Sequence, residues 1–513
     1  MASILGIKGF NRSGTSINVL LAAYGNDIVN VSTNTGYGLN LNGNNVEMEV
    51  FLDRVFVQNG NDRPISFDGT SFSHAYVGRC LVSKYIKKNK SKIYLGFCSF
   101  PSPQAPLDTS NNAITFPSRV FNSDFFKGNN LTWGIEWGRN GRTEAGSPFF
   151  NLSATDAPLI QDFVTSNIKI GDSLFITNGN TQLTSKEYKV KNIISPYRLE
   201  VTENFPVTTT ALHFWVSGNW FDVGTDDNDS IMGFGENYNN LIILKRLSLW
   251  YQTPRELKQV ENAFGTSSQR SVINHKRYTY YFHGSEPAIT GIYRFDGASS
   301  VLISRGIDPY IRGISSALYD NVVGWREGDD LRWYLGATDN TNENIDLDRA
   351  VATLSTSLQA WSVDPIADVI TCSTRYRKGN REDSYCGTDD DEVLQMGNGN
   401  TFNTAPITAI LETKVYYPSG TSIINDIPRI QVLGKNTKGI KIKYKLWNAP
   451  ELVDDNWIGL GELQEDKTEL VLPQIHKISS GIQLRTEDMN SLENDGLVEK
   501  FTIFFKPIRK RLL

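Results

Sequence analysis

An imperfect internal repeat, written in short strands and tight turns, restricts this chain more than any other feature. Phe67-Asp68-Gly69 lies within Ile65 to Gly78, and Phe295-Asp296-Gly297 lies in a similar setting from Ile292 to Gly306. In both, an apolar strand runs into an Asp-Gly turn and a second strand follows. Tyr94-Leu95-Gly96 returns as Tyr334-Leu335-Gly336 and, altered, as Tyr385-Cys386-Gly387, the last two 51 residues apart. A period of about 40 to 50 residues built from short strands is what a β-propeller blade requires, because a four-stranded blade buries its faces only against its neighbours. Residues 49–415, less an insertion at 135–218, hold about six such units.

The remaining segments differ in character. Residues 1–48 are rich in Asn, Gly and Ser and read as an extended N-terminal arm or edge strands. The insertion at 135–218 opens on a possible short helix, Thr155 to Thr165, then alternates from Ile168 to Val216, the pattern of a small β-barrel. Thr253-Pro254-Arg255-Glu256 offers an N-cap, a proline at the first helical position and a glutamate at the third, which predicts a helix carrying Leu257, Val260 and Phe264 as its apolar stripe. Residues 416–513 carry five strand-like runs spaced as in a β-sandwich and end on the basic Lys506-Pro507-Ile508-Arg509-Lys510-Arg511. The expected class is all-β. Aromatic and glycine content agrees, with 26 Phe, 21 Tyr and 42 Gly against 5 Met.

Charge narrows the function. Fifty-one basic residues face 56 acidic ones, a formal net of −5, where a general nucleic-acid binder would show a basic excess. No apolar run approaches the ~18 to 20 residues that span a bilayer. Met1 to Phe10 does not read as a secretory signal, so export by the general route is not indicated and assembly in a reducing cytoplasm is the expectation. Cys80, Cys98, Cys372 and Cys386 are too few and scattered for a disulfide framework and read as small buried hydrophobes.

A search for chemistry assigns no catalytic, cofactor or metal residues. Gly434 to Gly439 has the glycine spacing of a phosphate loop, but Ile440 stands where its lysine must be. His275 and His283 are a poor metal pair. Asp226, Asp227 and Asp229, and Asp389, Asp390, Asp391 and Glu392, read first as turn caps and second as a calcium loop. Lys84, Lys87, Lys88, Lys90 and Lys92 read as protection of a hairpin edge. Glu136 and Glu144, near Trp133 and Trp137, are the residues a glycosidase reading would use.

Several of these stretches resemble a known family. Asn59-Gly60, Arg63-Pro64 and Phe67-Asp68-Gly69, then Lys84 to Gly96 and Phe116-Pro117-Ser118-Arg119-Val120, are similar to the propeller of tailed-bacteriophage virion proteins of the nozzle or tail-stabilisation type. Phe221-Asp222-Val223-Gly224 to Ile231, Leu241 to Trp250, Gly265-Thr266-Ser267-Ser268 and Phe505-Lys506-Pro507-Ile508 continue the likeness. The resemblance implies a non-catalytic structural component of the virion tail, docking in a ring with copies of itself and with neighbouring tail or head-to-tail connector proteins. DNA would pass it in transit without specific binding, which an acidic balance favours. Two alternatives stand beside it: a receptor- or glycan-binding tail protein that meets the host surface through Trp133, Trp137, Trp215 and Trp220, and a polysaccharide depolymerase.

Overall fold

The computed structural model describes residues 3–42, 45–73, 81–100, 114–123, 135–152, 163–164, 168–184, 186–224, 227–253, 256–286, 288–340, 345–378, 381–397, 401–402, 405–406, 409–413, 415–419, 423–435, 439–448, 451–452, 457–464, 467–472, 478–488 and 497–510. The chain is all-β and divides into two compact units, residues 1–345 with 370–396, and residues 346–369 with 397–513.

The first unit is a succession of antiparallel meanders. Sheet 1 contains Ile4–Asn11, Asn18–Tyr24, Asp27–Asn30 and Thr35–Gly36; sheet 2 contains Glu47–Phe51, Arg54–Gln58, Ile65–Phe67 and Phe72–Ser73. Sheet 3 is Val82–Asn89, Lys92–Phe100, Ile114–Asn122 and Trp220–Asp222; sheet 4 is Ile231–Asn237, Asn240–Lys245, Leu249–Gln252 and Leu257–Gln259. Sheet 5 is Ile273–His275, Tyr278–His283, Gly291–Phe295 and Ser300–Leu302. Sheet 6 contributes Val323–Glu327 and Asp330–Asn340 to this unit, and sheet 7 is Ile370–Lys378, Arg381–Thr388 and Val393–Gln395. The first strand of each sheet lies beside the first strand of the next, and the first strand of sheet 7 lies beside that of sheet 1. Seven sheets therefore close into a ring.

Two sequence expectations are corrected here. Residues 1–48 are not an extended arm: Ile4, Ile7, Leu20, Leu21 and Ala22 are buried, and Ile4, Ile7, Leu20 and Ala22 share a core with Cys372 and Tyr376 of sheet 7. Their polar, glycine-rich composition belongs to the turns, while the short apolar pieces supply a complete sheet. That raises the count from about six units to seven. The helix predicted from Thr253 is also absent, since Leu257–Gln259 is a strand paired with Leu249–Gln252. The Thr253 hydroxyl does accept from the Glu256 amide at 3.1 Å, as an N-cap would. The same capping geometry closes a turn, because the Thr253 amide donates to the Glu256 carbonyl and returns the chain as a strand.

The insertion folds into a closed six-stranded barrel between the last two strands of sheet 3. Its strands are Ile135–Thr143, Phe149–Leu152, Ser173–Ile176, Glu187–Ser195, Arg198–Val201 and Thr209–Ser217, with the last paired to the first. Alternation fixes which side chains enter: along Glu187–Ser195, Tyr188 and Val190 are buried while Lys189 and Lys191 face outward. Phe150, Phe163, Leu174, Leu199, Leu212 and Phe214 fill the interior. The possible helix from Thr155 falls mostly outside the described residues.

In the second unit, Ile423–Lys435 pairs with Lys467–Val471, Ile478–Ser479 and Leu497–Lys510, and a second sheet is built on Lys441–Asn448 and Gly481–Asp488. Both sheets enclose Ile430, Val432, Ile442, Tyr444, Ile482 and Leu484. The basic residues Lys506, Arg509 and Lys510 lie within the last strand. The boundary falls at 396/397, earlier than the 415/416 read from sequence, because Ala409–Glu412 pairs with Gly481–Asp488.

Candidate functional site

The first strands of the ring converge on a central cavity of about 190 Å³. Its charged lining comes from different sheets: Lys8 from sheet 1, Glu47 and Glu49 from sheet 2, Lys87 from sheet 3, and Arg270 from the turn entering sheet 5. Arg270 is fixed by two carbonyls, with Nη1 donating to Thr371 O at 2.6 Å and Nη2 to Leu5 O at 2.5 Å. Lys8 pairs loosely with Glu49 at 3.8 Å. Enclosure raises the Glu47 carboxyl above its usual range, against the pull of Arg270, Lys8 and Lys87. Lys87 belonged to the lysine run read as edge protection. The structure divides that run by the alternation of the strand: Lys87 lines the cavity, Lys84 lies over the Phe97 ring at 4.1 Å, and Lys92 donates to Asn122 Oδ1 at 2.9 Å.

A second polar cluster ties the barrel to sheet 3. The Arg119 guanidinium donates to Asp222 Oδ1 at 2.8 Å and to Glu187 Oε2 at 3.3 Å, and stacks 3.5 Å from the centroid of Trp220. Lys189 covers the same indole at 4.6 Å and pairs with Glu187 at 2.6 Å. Burial works against ionised Glu187, but hydrogen bonds from Lys189 and Ser173 and the charge of Arg119 hold its carboxyl below the usual range.

That arrangement decides the fate of the tryptophans expected as exposed contacts. Trp215 is 3% exposed, packed with Phe51, Phe56, Ile86 and Phe175, so it cannot present a recognition surface. Trp220 is clasped between two cations and donates to Ser217 O at 3.2 Å. Trp137 stands opposite Trp215 in the barrel ladder, and Trp133 lies outside the described residues. Glu136 sits in the strand Ile135–Thr143 and Glu144 just beyond its far end, so roughly 20 Å or more of extended chain divides them. A glycosidase pair must lie within about 10 Å. These two residues do not form one.

The other residues singled out in the sequence are absorbed locally. Asp229 accepts from the amides of Arg246 and Leu247 and from Ser248 Oγ, at 2.8, 3.1 and 3.0 Å. Asp227 pairs at 2.6 Å with Lys245, whose side chain is completely buried and also donates to Val223 O. Sequence reasoning missed Lys245, whose only signal was a lysine ending the apolar run from Leu241. Asp226 lies outside the described residues. Asp391 accepts from the Tyr24 hydroxyl at 3.1 Å, a bond between sheets 7 and 1. Among the described residues no group of three His, Cys, Asp or Glu side chains is placed to hold a metal ion. Cys98, Cys372 and Cys386 are buried. An open groove of about 730 Å³ remains beside sheet 4, lined by Trp250, Leu247, Leu257, Gln259 and the already bonded Asp222, Asp227 and Asp229.

The chain matches no protein-family model and no curated protein. Among solved structures it is similar to the endosialidase of phage phi92, at 10% identity and a TM-score of 0.23, over 80% of this chain and 53% of that one. The chain thus spans about half the length of that enzyme. It is also similar to a computationally designed protein at 6% identity and a TM-score of 0.33, covering 77% and 96% of the two chains. An exo-β-1,3-galactanase from Phanerochaete chrysosporium aligns at 9% identity and a TM-score of 0.17, covering 91% and 97%. Likenesses of this size carry neither an activity nor a partner to this chain.

Proposed function

We propose that the seven sheets are the blades of a β-propeller, and that the chain is a non-catalytic structural component of a bacteriophage tail, resident in the virion, where copies form a ring around the path of DNA ejection. One observation carries the reading: several first-unit residues of the sequence resemblance build the framework of the ring. Asn59 Oδ1 accepts from the amides of Asn61 and Asp62 at 3.0 and 2.7 Å, folding the turn of sheet 2. Ser267 Oγ donates to Gly284 O and Ser268 Oγ to Val322 O, both at 2.8 Å, fastening the turn that enters sheet 5 to that sheet and to the start of sheet 6. Asp222 anchors Arg119. The likeness is therefore one of architecture, as expected of a structural part.

The path for DNA is not the axis of a single chain. A void of about 190 Å³ is far too small for a duplex whose major groove alone is about 12 Å wide. The lumen belongs between copies, each of 57.5 kDa. Light scattering and negative-stain imaging of the full chain should show a closed ring with a lumen wide enough for duplex DNA, and antibodies to the chain should label virion tails. A trimer would overturn the ring in favour of a fibre-like adhesin, and unlabelled tails would overturn the virion assignment.

A second reading, adhesion to a host glycan, has one observation in its favour: the half-buried Trp250 indole lines an open groove, and an aromatic face is a platform for a sugar ring. Trp250→Ala should then abolish attachment to host cells without altering assembly. Unchanged attachment removes this reading.

A further inference from the structure

We infer that the central cavity of the ring is a binding site for one small oxyanion, of the size and charge of inorganic phosphate. Charges converge on this cavity without meeting. Among the described residues, no carboxylate lies within 4 Å of Lys87 or Arg270. Arg270 spends two of its five donors on Thr371 O and Leu5 O, which fixes its plane and leaves donors over. Glu49 is engaged by Lys8, so Lys87 and Arg270 together face the single carboxyl of Glu47 across the void.

Lys87 and Arg270 are each half-buried, so they have lost part of their hydration, and a charge so placed without a partner carries a cost. The neutral polar neighbours offer little relief. Ser373 Oγ already donates to Gly324 O at 2.7 Å, and the Gln269 amide is bonded on both sides to the Phe234 backbone. The lining carries three cations against two carboxylates, an excess of one positive charge that a bound anion cancels. The void is several times what one water needs, and it is bounded by segments of sheets 1, 2, 3, 6 and 7 and the turn entering sheet 5. An oxyanion accepting from Lys87 and from the free edge of Arg270 would join sheet 3 to the turn entering sheet 5. Any ionised Glu47 opposes that anion; any protonated Glu47 can donate to it.

The inference is independent of the tail assignment and is tested on the full chain. Calorimetric titration with inorganic phosphate, in a buffer matched for ionic strength with chloride, should give a saturable one-to-one isotherm and a parallel rise in unfolding temperature. Lys87→Met should weaken binding at least about tenfold, the loss expected for one charge-assisted contact, while Lys90→Met at the exposed hairpin tip should leave it unchanged. Glu47→Gln should tighten it. Should Lys87→Met fail to fold, Lys87→Gln and the opposite effect of Glu47→Gln carry the test. No saturable binding, or equal loss in the Lys87 and Lys90 variants, overturns the site and leaves water as the occupant.

Discussion

At the scale of single residues, the repeat that shows first in the sequence is explained by a carboxylate rather than by its aromatic neighbour. Asp68 accepts from the Thr70 and Ser71 amides, both at 2.9 Å, and Asp296 accepts from those of Ala298 and Ser299 at 2.9 and 2.8 Å. Gly69 and Gly297 follow with φ of +105° and +103°, a backbone that side chains rarely adopt. Burial opposes the charge of Asp68, yet the bonds from Ser71 and Thr70 hold its pKa down to about 2. His283 shows the reverse balance. It is fully buried, stacked on Phe264 at 4.9 Å, and burial lowers its pKa to about 4. The unfolded chain binds that proton near pH 6.5 and the folded chain does not, so the stabilisation is fully present above pH 6.5 and is lost as pH falls toward 4. The loss can reach about 3 kcal/mol. Urea unfolding at pH 7 and pH 4.5 should show His283→Gln losing clearly less stability on acidification than the natural chain; equal losses would reject the assignment.

At the scale of elements, the ring depends on close approach between sheets. A Cβ added at Gly96 in sheet 3 would lie 2.8 Å from Ile231 Cγ2 and 2.8 Å from Phe234 Cζ of sheet 4. Gly387 of the altered triplet marks a similar contact, with Ile4 of sheet 1, whereas Gly336 is set by a φ of +79°. Gly96→Val should destabilise the chain by about 2 kcal/mol or more through overpacking. Gly459→Ala, with nothing within 4 Å, should change it by no more than about 0.5 kcal/mol. Denaturant midpoints of the two variants compare them directly, and similar values would count against the packing argument. The barrel shows what sequence can reveal of an element: the insertion read at 135–218 holds its strands, Ile135 to Ser217, and alternation from Ile168 to Val216 marked the later ones. The turn at Thr253 shows the opposite. A capping pattern serves a helix and a strand reversal equally well, and pairing with Leu249–Gln252 chose between them.

For the molecule as a whole, closure is the deciding feature. Thr371 Oγ1 donates to Ile4 O at 2.6 Å, Asn11 Nδ2 to Arg377 O at 3.2 Å, and Tyr24 to Asp391, so the first sheet completes the circle against the last. Removing residues 1–36 should therefore cost far more than trimming a loose arm. Ile4, Ile7, Phe10, Leu20 and Leu21 would leave the core, at about 1.5 to 3 kcal/mol each, which is comparable to the entire margin of a folded domain. Thermal unfolding of the truncated chain should show a lost or sharply lowered transition; an unchanged one would restore the arm.

The sequence by itself determined the all-β class, the strands of the insertion and of the C-terminal unit, and the repeat, because alternation, turn chemistry and glycine placement act over a few residues and leave local marks. Only the tertiary structure decided that residues 4–36 are a seventh sheet, that Trp215 is core and Trp220 a clasp, and that Lys8, Glu47, Lys87 and Arg270 share one cavity. Those outcomes depend on residues such as Ile4 and Thr371, 367 positions apart, brought together when the ring closes. A single sequence without such a partner in view does not record which of its polar and aromatic side chains will be enclosed.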